Sequence, residues 1–228
     1  MHALIINGSP RVKKLSNTDK ILDDFCAGML ESGSTFERYE VSDRTSWAKM
    51  RECFCHSENI LIALPLFVEC IPGMLLEFLE TLAPELAARQ ASTAGKNNTK
   101  KISYILQSGF AEGVQLRCGE AYLEKLTVQL GCEYGGTLVK GNNFSIRLSE
   151  GEARDKITAP YREMGRIYGK ERNFFNDSCK AFTGPEVFPA PVRLLVGLLF
   201  RTVVRGSFKK AARSWGCTKS LRDRPYEV

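Results

Sequence analysis

Short apolar runs alternate with amphipathic stretches through most of this chain, and this alternation constrains its fold more than any other feature. The runs predicted to be strands cover residues 3–6, 36–41, 59–64, 102–106 and 134–139. Apolar side chains recur at helical spacing between them. They predict helices from residue 17, over 47–55, from Pro72 onward, over 114–130 and over 150–171. A polar stretch over residues 91–101 is predicted to be a surface loop.

The central runs, such as Ala3-Leu4-Ile5-Ile6, are apolar without alternation, as in strands that are buried on both faces. Strands that alternate with helices over short connections indicate a doubly wound α/β domain with a five-stranded parallel sheet. Ligands of such domains bind beyond the carboxyl ends of the strands. The loops that follow the first, third and fourth strands are therefore candidate site loops.

Composition and charge divide the chain into two parts. The 228 residues are 43% hydrophobic and 25% charged, which excludes a disordered or fibrous protein. Residues 187–228 carry nine Lys or Arg against two acidic residues, whereas the rest of the chain has a net charge of −1. We therefore expect a nearly neutral domain over residues 1–186 and a basic, apolar helical extension over 187–228.

Cysteine usage and the N-terminal sequence favour a cytoplasmic protein. The eight cysteines are scattered through predicted helices and strands, so we expect reduced thiols. The sequence passes from Met1 directly into a strand, without a basic leader, and the longest apolar stretch is interrupted by prolines and arginines. We expect neither a signal peptide nor a spanning helix.

The first loop combines groups that suit a phosphate. Asn7-Gly8-Ser9-Pro10-Arg11 ends the first strand, and Ser16-Asn17-Thr18 opens the next helix. Backbone N–H groups, hydroxyls and a guanidinium would converge there with the positive end of the helix dipole. The loop is neither a P-loop nor a dinucleotide fingerprint. The alternative is an ordinary strand–turn–helix with a capping Ser or Asn.

The second and third loops suit a flat apolar group. The loop over residues 64–73 is apolar where an exposed loop is usually polar, which indicates either an aromatic ligand or a loop covered by protein. The loop over residues 107–113 contains Gly109 and Gly113, which would let backbone amides approach a ligand or simply form a turn. All three loops fall on one edge of the predicted sheet.

Taken in order, these motifs resemble those of a known family. Gly-Ser-Pro-Arg with Ser-Asn-Thr, then Pro-Leu-Phe leading to Ile-Pro-Gly, then Ser-Gly-Phe, are similar to the NADPH-dependent FMN reductase branch of the flavodoxin-like flavoproteins. The resemblance covers most of residues 1–140 and implies a flavodoxin-like fold with strand order 2-1-3-4-5. It also implies noncovalently bound FMN, with NAD(P)H as co-substrate.

The resemblance assigns the cofactor-binding residues by position. Those implied for the FMN phosphate are Ser9, Arg11, Ser16, Asn17 and Thr18. Those implied for the isoalloxazine ring are Pro65, Leu66, Phe67 and Val68, and those closing its pyrimidine side are Ser108, Gly109 and Phe110. The flavin carries the chemistry, so no catalytic side chain is expected.

The sequence departs from the family at two points. Phe67 stands where the family often has Tyr, so a hydroxyl contact is missing, and the compact cysteine set of iron–sulfur relatives is absent. Cys53 and Cys55 with His56 are too closely spaced for a standard zinc or cluster site. We expect no metal there, and we assign the three residues to helix surface and core.

The resulting hypothesis is an FMN-dependent NAD(P)H oxidoreductase. It would pass electrons to a quinone, a nitro or azo compound, free flavin or another small acceptor. One alternative is a flavodoxin-type electron carrier without nicotinamide turnover, and another is an interaction protein that has lost the flavin. We expect a homodimer or higher homo-oligomer.

The extension admits three partners. Arg193, Gly197, Arg201, Arg205 and Lys209 recur at four-residue steps and form a narrow polar stripe on an otherwise apolar helix. Its apolar side would pack on the domain or a dimer mate, or would make weak contact with an anionic membrane surface. Nucleic acid is not expected, because no recognisable binding module accompanies the basic residues.

Overall fold

Five parallel strands form one sheet in the order β2-β1-β3-β4-β5 in the computed structural model of the chain, which describes residues 1–83, 100–220, 222–224 and 226. The strands are β1 (His2–Asn7), β2 (Thr35–Glu40), β3 (Asn59–Pro65), β4 (Lys101–Gln107) and β5 (Glu133–Lys140). All four strand pairings are parallel. The predicted sheet and its order are confirmed.

The helices of the sheet domain follow the predicted alternation. They are α1 (Asn17–Glu31), α2 (Trp47–His56), α3 (Gly73–Glu80), α4 (Arg117–Gln129), α5 (Glu152–Glu171) and α6 (Asp177–Phe182). Pro72 caps α3 from just outside its first turn, and α4 is preceded by a 3-10 turn over Gly113–Leu116. Of the predicted 91–101 loop, Lys101 instead begins β4, and residues 91–99 lie outside the described residues.

Alternate residues of the central strands contribute side chains to two separate hydrophobic layers. Leu4 and Ile6 of β1 face one layer, which contains side chains of α2, α3 and α4. Ile5 faces the other layer, where side chains of α1 and α5 pack. This burial of both sheet faces explains the apolar runs without alternation.

Close contact between α1 and α5 holds the second layer together. A Cβ atom added at Gly28 would overlap the backbone carbonyl of Arg162, and one added at Gly165 would overlap that of Phe25. Glycine at both positions therefore lets the two backbones approach each other. At the end of this contact Glu31 accepts hydrogen bonds from Arg162 Nε at 2.7 Å and Arg166 Nε at 2.6 Å.

The chain divides into two compact units, Met1–Glu186 and Val187–Val228. The second unit contains α7 (Ala190–Leu199), a π-helical turn (Phe200–Val204) and α8 (Arg205–Ser214). These three elements follow one another without a break, and none of their side chains is buried. Within the described ranges, no helix is both long and apolar enough to cross a membrane.

Candidate functional site

A cavity of about 140 Å³ lies where the loops after β1, β3 and β4 meet at the carboxyl edge of the sheet. The strand order reverses direction between β1 and β3, and ligands of doubly wound sheets bind at such switch points. The cavity is lined by Ser9, Arg11, Asn17, Thr18, Pro65, Leu66, Phe67, Gln107, Ser108, Gly109, Phe144 and Arg147. Nine of the twelve predicted site residues are in this set. Ser16, Val68 and Phe110 are not.

The loop after β1 is shaped by side-chain-to-backbone hydrogen bonds. Asn7 Oδ1 accepts a hydrogen bond from Ser9 N at 3.1 Å, and Ser9 Oγ accepts one from Arg11 N at 3.3 Å. Gly8 N donates to Ala63 O of β3 at 2.7 Å. These bonds hold Ser9, which is buried, beside exposed Arg11 at the cavity.

Ser16 caps α1. Its Oγ accepts a hydrogen bond from Asp19 N at 3.2 Å, and its side chain is buried. The first backbone N–H groups of α1 have no partner within the helix, so they can donate to an anion at its N-terminus. Asn17 and Thr18, which begin the helix, do line the cavity.

The apolar loop after β3 forms a miniature antiparallel bridge. Phe67 and Cys70 exchange two backbone hydrogen bonds, at 2.9 and 3.0 Å. Val68 and Glu69 between them have φ values of 46° and 67°. Positive φ is strained for a β-branched residue. The turn leaves Val68 84% exposed, while Leu66 is buried and Phe67 is half-exposed at the cavity.

The loop after β4 is joined to the segment after β5. Ser108 N donates to Lys140 O at 3.2 Å, and Asn142 N donates to Phe110 O at 2.6 Å. A Cβ atom at Gly141 would overlap Phe110 O, so this close approach requires glycine. Ser108 Oγ accepts from Phe110 N at 3.1 Å. Ser108 and Gly109 therefore face the cavity on a supported loop.

Sequence analysis missed three cavity residues, Gln107, Phe144 and Arg147. Gln107 ends β4, and its buried side chain donates from Nε2 to Thr18 Oγ1 at 3.3 Å. Phe144 and Arg147 lie in a 3-10 turn, Phe144–Leu148, that follows β5. The sequence offered one signal for the turn, which is its position. It follows β5, and the carboxyl end of β5 lies at the same edge of the sheet as the cavity.

Asn143 anchors that turn to the helices around it. Its Nδ2 donates to Tyr161 Oη of α5 at 2.9 Å, and its backbone carbonyl accepts from Asn17 Nδ2 at 2.9 Å. Burial raises the pKa of Tyr161 above its ordinary value, so the phenol stays protonated. The contacts connect α1, α5 and the turn of Phe144 and Arg147.

The chemistry of the cavity lining favours an anion beside a flat apolar group. Its charged side chains are the guanidiniums of Arg11 and Arg147, and none of these twelve residues is a carboxylate. Pro65, Leu66, Phe67 and Phe144 provide apolar surface. The enclosed volume is below the roughly 300–1,000 Å³ of pockets that surround a whole ligand. A larger ligand would therefore extend over the exposed aromatic side chains at the cavity edge.

A larger cavity of about 480 Å³ lies at the opposite, amino-terminal edge of the sheet. It contains Cys53 and His56, and Cys53 Sγ donates to Glu37 Oε2 at 3.1 Å. Burial raises the pKa of Cys53, so the thiol is the favoured form. Within the described residues, no group of three or more His, Cys, Asp or Glu is arranged to hold a metal ion.

Comparisons with solved structures identify the fold. An FMN-dependent NADH-azoreductase from Bacillus anthracis str. Ames Ancestor aligns over 75% of this chain and 100% of its own, with a TM-score of 0.54 and 17% identity. An NAD(P)H:quinone oxidoreductase from Methanothermobacter marburgensis aligns over 76% and 99%, with a TM-score of 0.53 and 14% identity. An NADH:FMN oxidoreductase aligns over 84% and 97%, with a TM-score of 0.52 and 16% identity.

Sequence comparison alone does not identify a family for this chain. No protein-family model matches the sequence. A leucine/methionine racemase from Thermococcus litoralis is 26% identical over 151 residues, which is 63% of this chain and 33% of the racemase. The chain thus spans about a third of the length of that curated relative. The structural matches establish the fold alone: the chain has a flavodoxin-like fold with strand order 2-1-3-4-5, which it shares with these solved structures.

Proposed function

We propose that the protein is an FMN-dependent NAD(P)H oxidoreductase that reduces a small acceptor such as a quinone, a nitro or azo compound, or free flavin. The observation that carries the proposal is the cavity at the β1/β3 switch point, where phosphate-binding groups and apolar loops meet. The solved structures with this fold include the azoreductase that binds FMN.

The phosphate end of the site fits FMN. Arg11 and Arg147 would neutralise the phosphate, while Ser9, Thr18 and the N-terminal amides of α1 would donate hydrogen bonds to it. None of the twelve described cavity residues is a carboxylate that would oppose this charge. Asn17 and Gln107, which also line the cavity, would contact the polar chain between phosphate and ring.

The ring end fits the isoalloxazine system. Pro65, Leu66 and Phe67 would cover one side of the ring, and Ser108 with Gly109 would approach its pyrimidine edge. Phe144 adds a second aromatic side chain, 56% exposed. Val68 and Phe110 remain proposed contacts, from the exposed tips of the two loops.

Bound FMN would supply the redox chemistry, accepting hydride from the nicotinamide and passing electrons to the acceptor. The protein's own residues would hold, orient and desolvate the ring.

We further propose that the enzyme works in the cytoplasm as a homodimer or higher homo-oligomer. All eight cysteines are free thiols, the state favoured in a reducing compartment. The exposed side chains of Phe67, Phe110 and Phe144 around the cavity would be covered by a ligand or a second copy.

The experiment that tests the reductase proposal is anaerobic mixing of the FMN-loaded protein with NADPH or NADH. We expect loss of the flavin absorbance, followed by many turnovers when a quinone or azo dye is added. Flavin that stays oxidised with both nucleotides, yet is reduced by dithionite, would contradict the proposal and favour an electron carrier. A protein that binds no FMN would favour the flavin-free alternative.

A further inference from the structure

The second unit contains a continuous helix that carries positive charge but no negative charge. The helix runs from Ala190 to Ser214 through α7, the π turn and α8. It contains six basic residues and no Asp or Glu. None of its side chains is buried, including Phe200, which is 58% exposed, and Val203, which is 62% exposed.

The π turn brings five of the six basic residues closer to one side of this helix. They recur in steps of four or eight residues, at Arg193, Arg201, Arg205, Lys209 and Arg213. A step of four residues overshoots one α-helical turn by about 40°, so the stripe would wind around an unbroken α-helix. A π-helix has about 4.4 residues per turn, so the turn at Phe200–Val204 reverses roughly 90° of this drift.

With this correction most of the large apolar side chains fall on the opposite side of the helix, whereas Leu194 and Leu198 lie beside the basic stripe in α7. Those on the opposite side are Leu195, Val196, Leu199, Phe200, Val203, Val204 and Phe208. From Leu199 onward the helix therefore presents an apolar side and a basic side. This division is typical of helices that lie in the plane of a membrane interface.

We propose that the helix of residues 190–214 binds the surface of a membrane that contains anionic lipids. The apolar side would enter the boundary between headgroups and acyl chains, and the basic side chains would contact lipid phosphates. Charge complementarity selects this partner. A second copy would bring six further cations against the six of the first helix, and nucleic acid would leave the apolar side uncovered.

The test is co-sedimentation of the full-length protein with vesicles. We expect at least tenfold tighter binding to vesicles of phosphatidylcholine with 30% phosphatidylserine than to phosphatidylcholine alone, and loss of this difference in 1 M NaCl, where charges are screened. Equal binding to both vesicles, or no binding to either, would overturn the proposal.

Two variants and a control separate the contributions. The charge variant Arg201→Gln with Arg205→Gln and Lys209→Gln should lose the preference for anionic vesicles. The apolar variant Phe200→Ser with Val203→Ser should weaken binding to them at least tenfold. The control Lys125→Gln with Lys156→Gln and Lys170→Gln removes equal charge from the first unit and should bind as the wild type does. A control that loses binding equally would contradict a specific role for the helix.

The two rejected partners have their own signatures. If light scattering shows that the apolar variant converts a dimer into a monomer while its vesicle binding is unchanged, the helix would be assigned to contact with a second copy. Binding of a DNA duplex in preference to vesicles would assign it to nucleic acid. Either result would overturn the proposal. Vesicle binding needs no flavin, so these outcomes are independent of the proposed reductase activity.

Discussion

Ser16 stands at the junction between the proposed phosphate loop and α1, and its hydroxyl has a structural task. It accepts the backbone N–H of Asp19 and is buried, and it does not line the cavity. The family resemblance implied a phosphate contact at this position. The geometry instead assigns Ser16 to the helix cap, from which it supports the amides that would bind the phosphate.

We predict that Ser16→Ala lowers the free energy of unfolding by about 1 kcal/mol, because the cap is lost. The affinity for FMN should fall by less than about threefold, since the hydroxyl is not at the cavity. Denaturant unfolding and flavin titration measure the two effects. Ser16→Asn, which can also cap a helix, should restore stability. A large loss of FMN affinity with unchanged stability would contradict this role.

Val68 illustrates a local geometry that sequence reasoning could not predict. Two-residue turns with positive φ favour Asn and Gly, so Val68-Glu69 gave no turn signal. The turn is held by the paired hydrogen bonds of Phe67 and Cys70 on either side. Val68 at its tip is 84% exposed and is not among the residues that line the cavity with Leu66 and Phe67.

At the scale of elements, the contact between α1 and α5 depends on two glycines. A methyl group at Gly165 would meet the backbone carbonyl of Phe25, which cannot move without shifting α1. We predict that Gly165→Ala lowers the free energy of unfolding by about 1–3 kcal/mol, despite the better helix propensity of Ala.

The matched control for this prediction is Gly73→Ala at the start of α3. Apart from its chain neighbours and the backbone of its own helix, no described atom lies within 4 Å of a Cβ at that position, so stability should change by less than about 0.5 kcal/mol. Urea unfolding of both variants measures the difference. Equal stability of Gly165→Ala and the wild type would show that the helices can separate without cost.

The same two helices are joined by a pH-dependent contact at Glu31. Hydrogen bonds and ion pairs with Arg162 and Arg166 lower the pKa of Glu31 below its ordinary value. A carboxyl whose folded pKa is lowered stabilises the fold above its unfolded pKa of 4.5, and this contribution is lost as pH falls through the folded pKa.

We predict that Glu31→Gln lowers the melting temperature at pH 7 and that its difference from the wild type shrinks as pH falls below 4.5. Thermal unfolding at several pH values measures this trend. Glu150→Gln is the control, because exposed Glu150 has no ion pair among the described residues. A difference that stays constant down to pH 3 would contradict the assigned linkage.

At the scale of the whole molecule, the sequence predicted the sheet because its signals were local. Each buried strand was a short apolar run, and the site loops followed three of them. The Gly28–Gly165 contact and the turn of Phe144 and Arg147 depend on residues far apart in the chain. Periodicity within one segment carries no information about such contacts, so these features needed the structure.

The central claim is that the carboxyl-edge cavity binds FMN through its phosphate, and titration of the purified protein with FMN and riboflavin tests it most directly. The account predicts one FMN per chain with a perturbed flavin absorption band. It also predicts roughly 10–100-fold weaker binding of riboflavin, because charge-assisted bonds to the phosphate are lost. Arg11→Ala with Arg147→Ala should abolish this difference, and Lys125→Ala should preserve it. A wild-type protein that leaves the FMN spectrum unchanged, or binds riboflavin equally well, would contradict the claim.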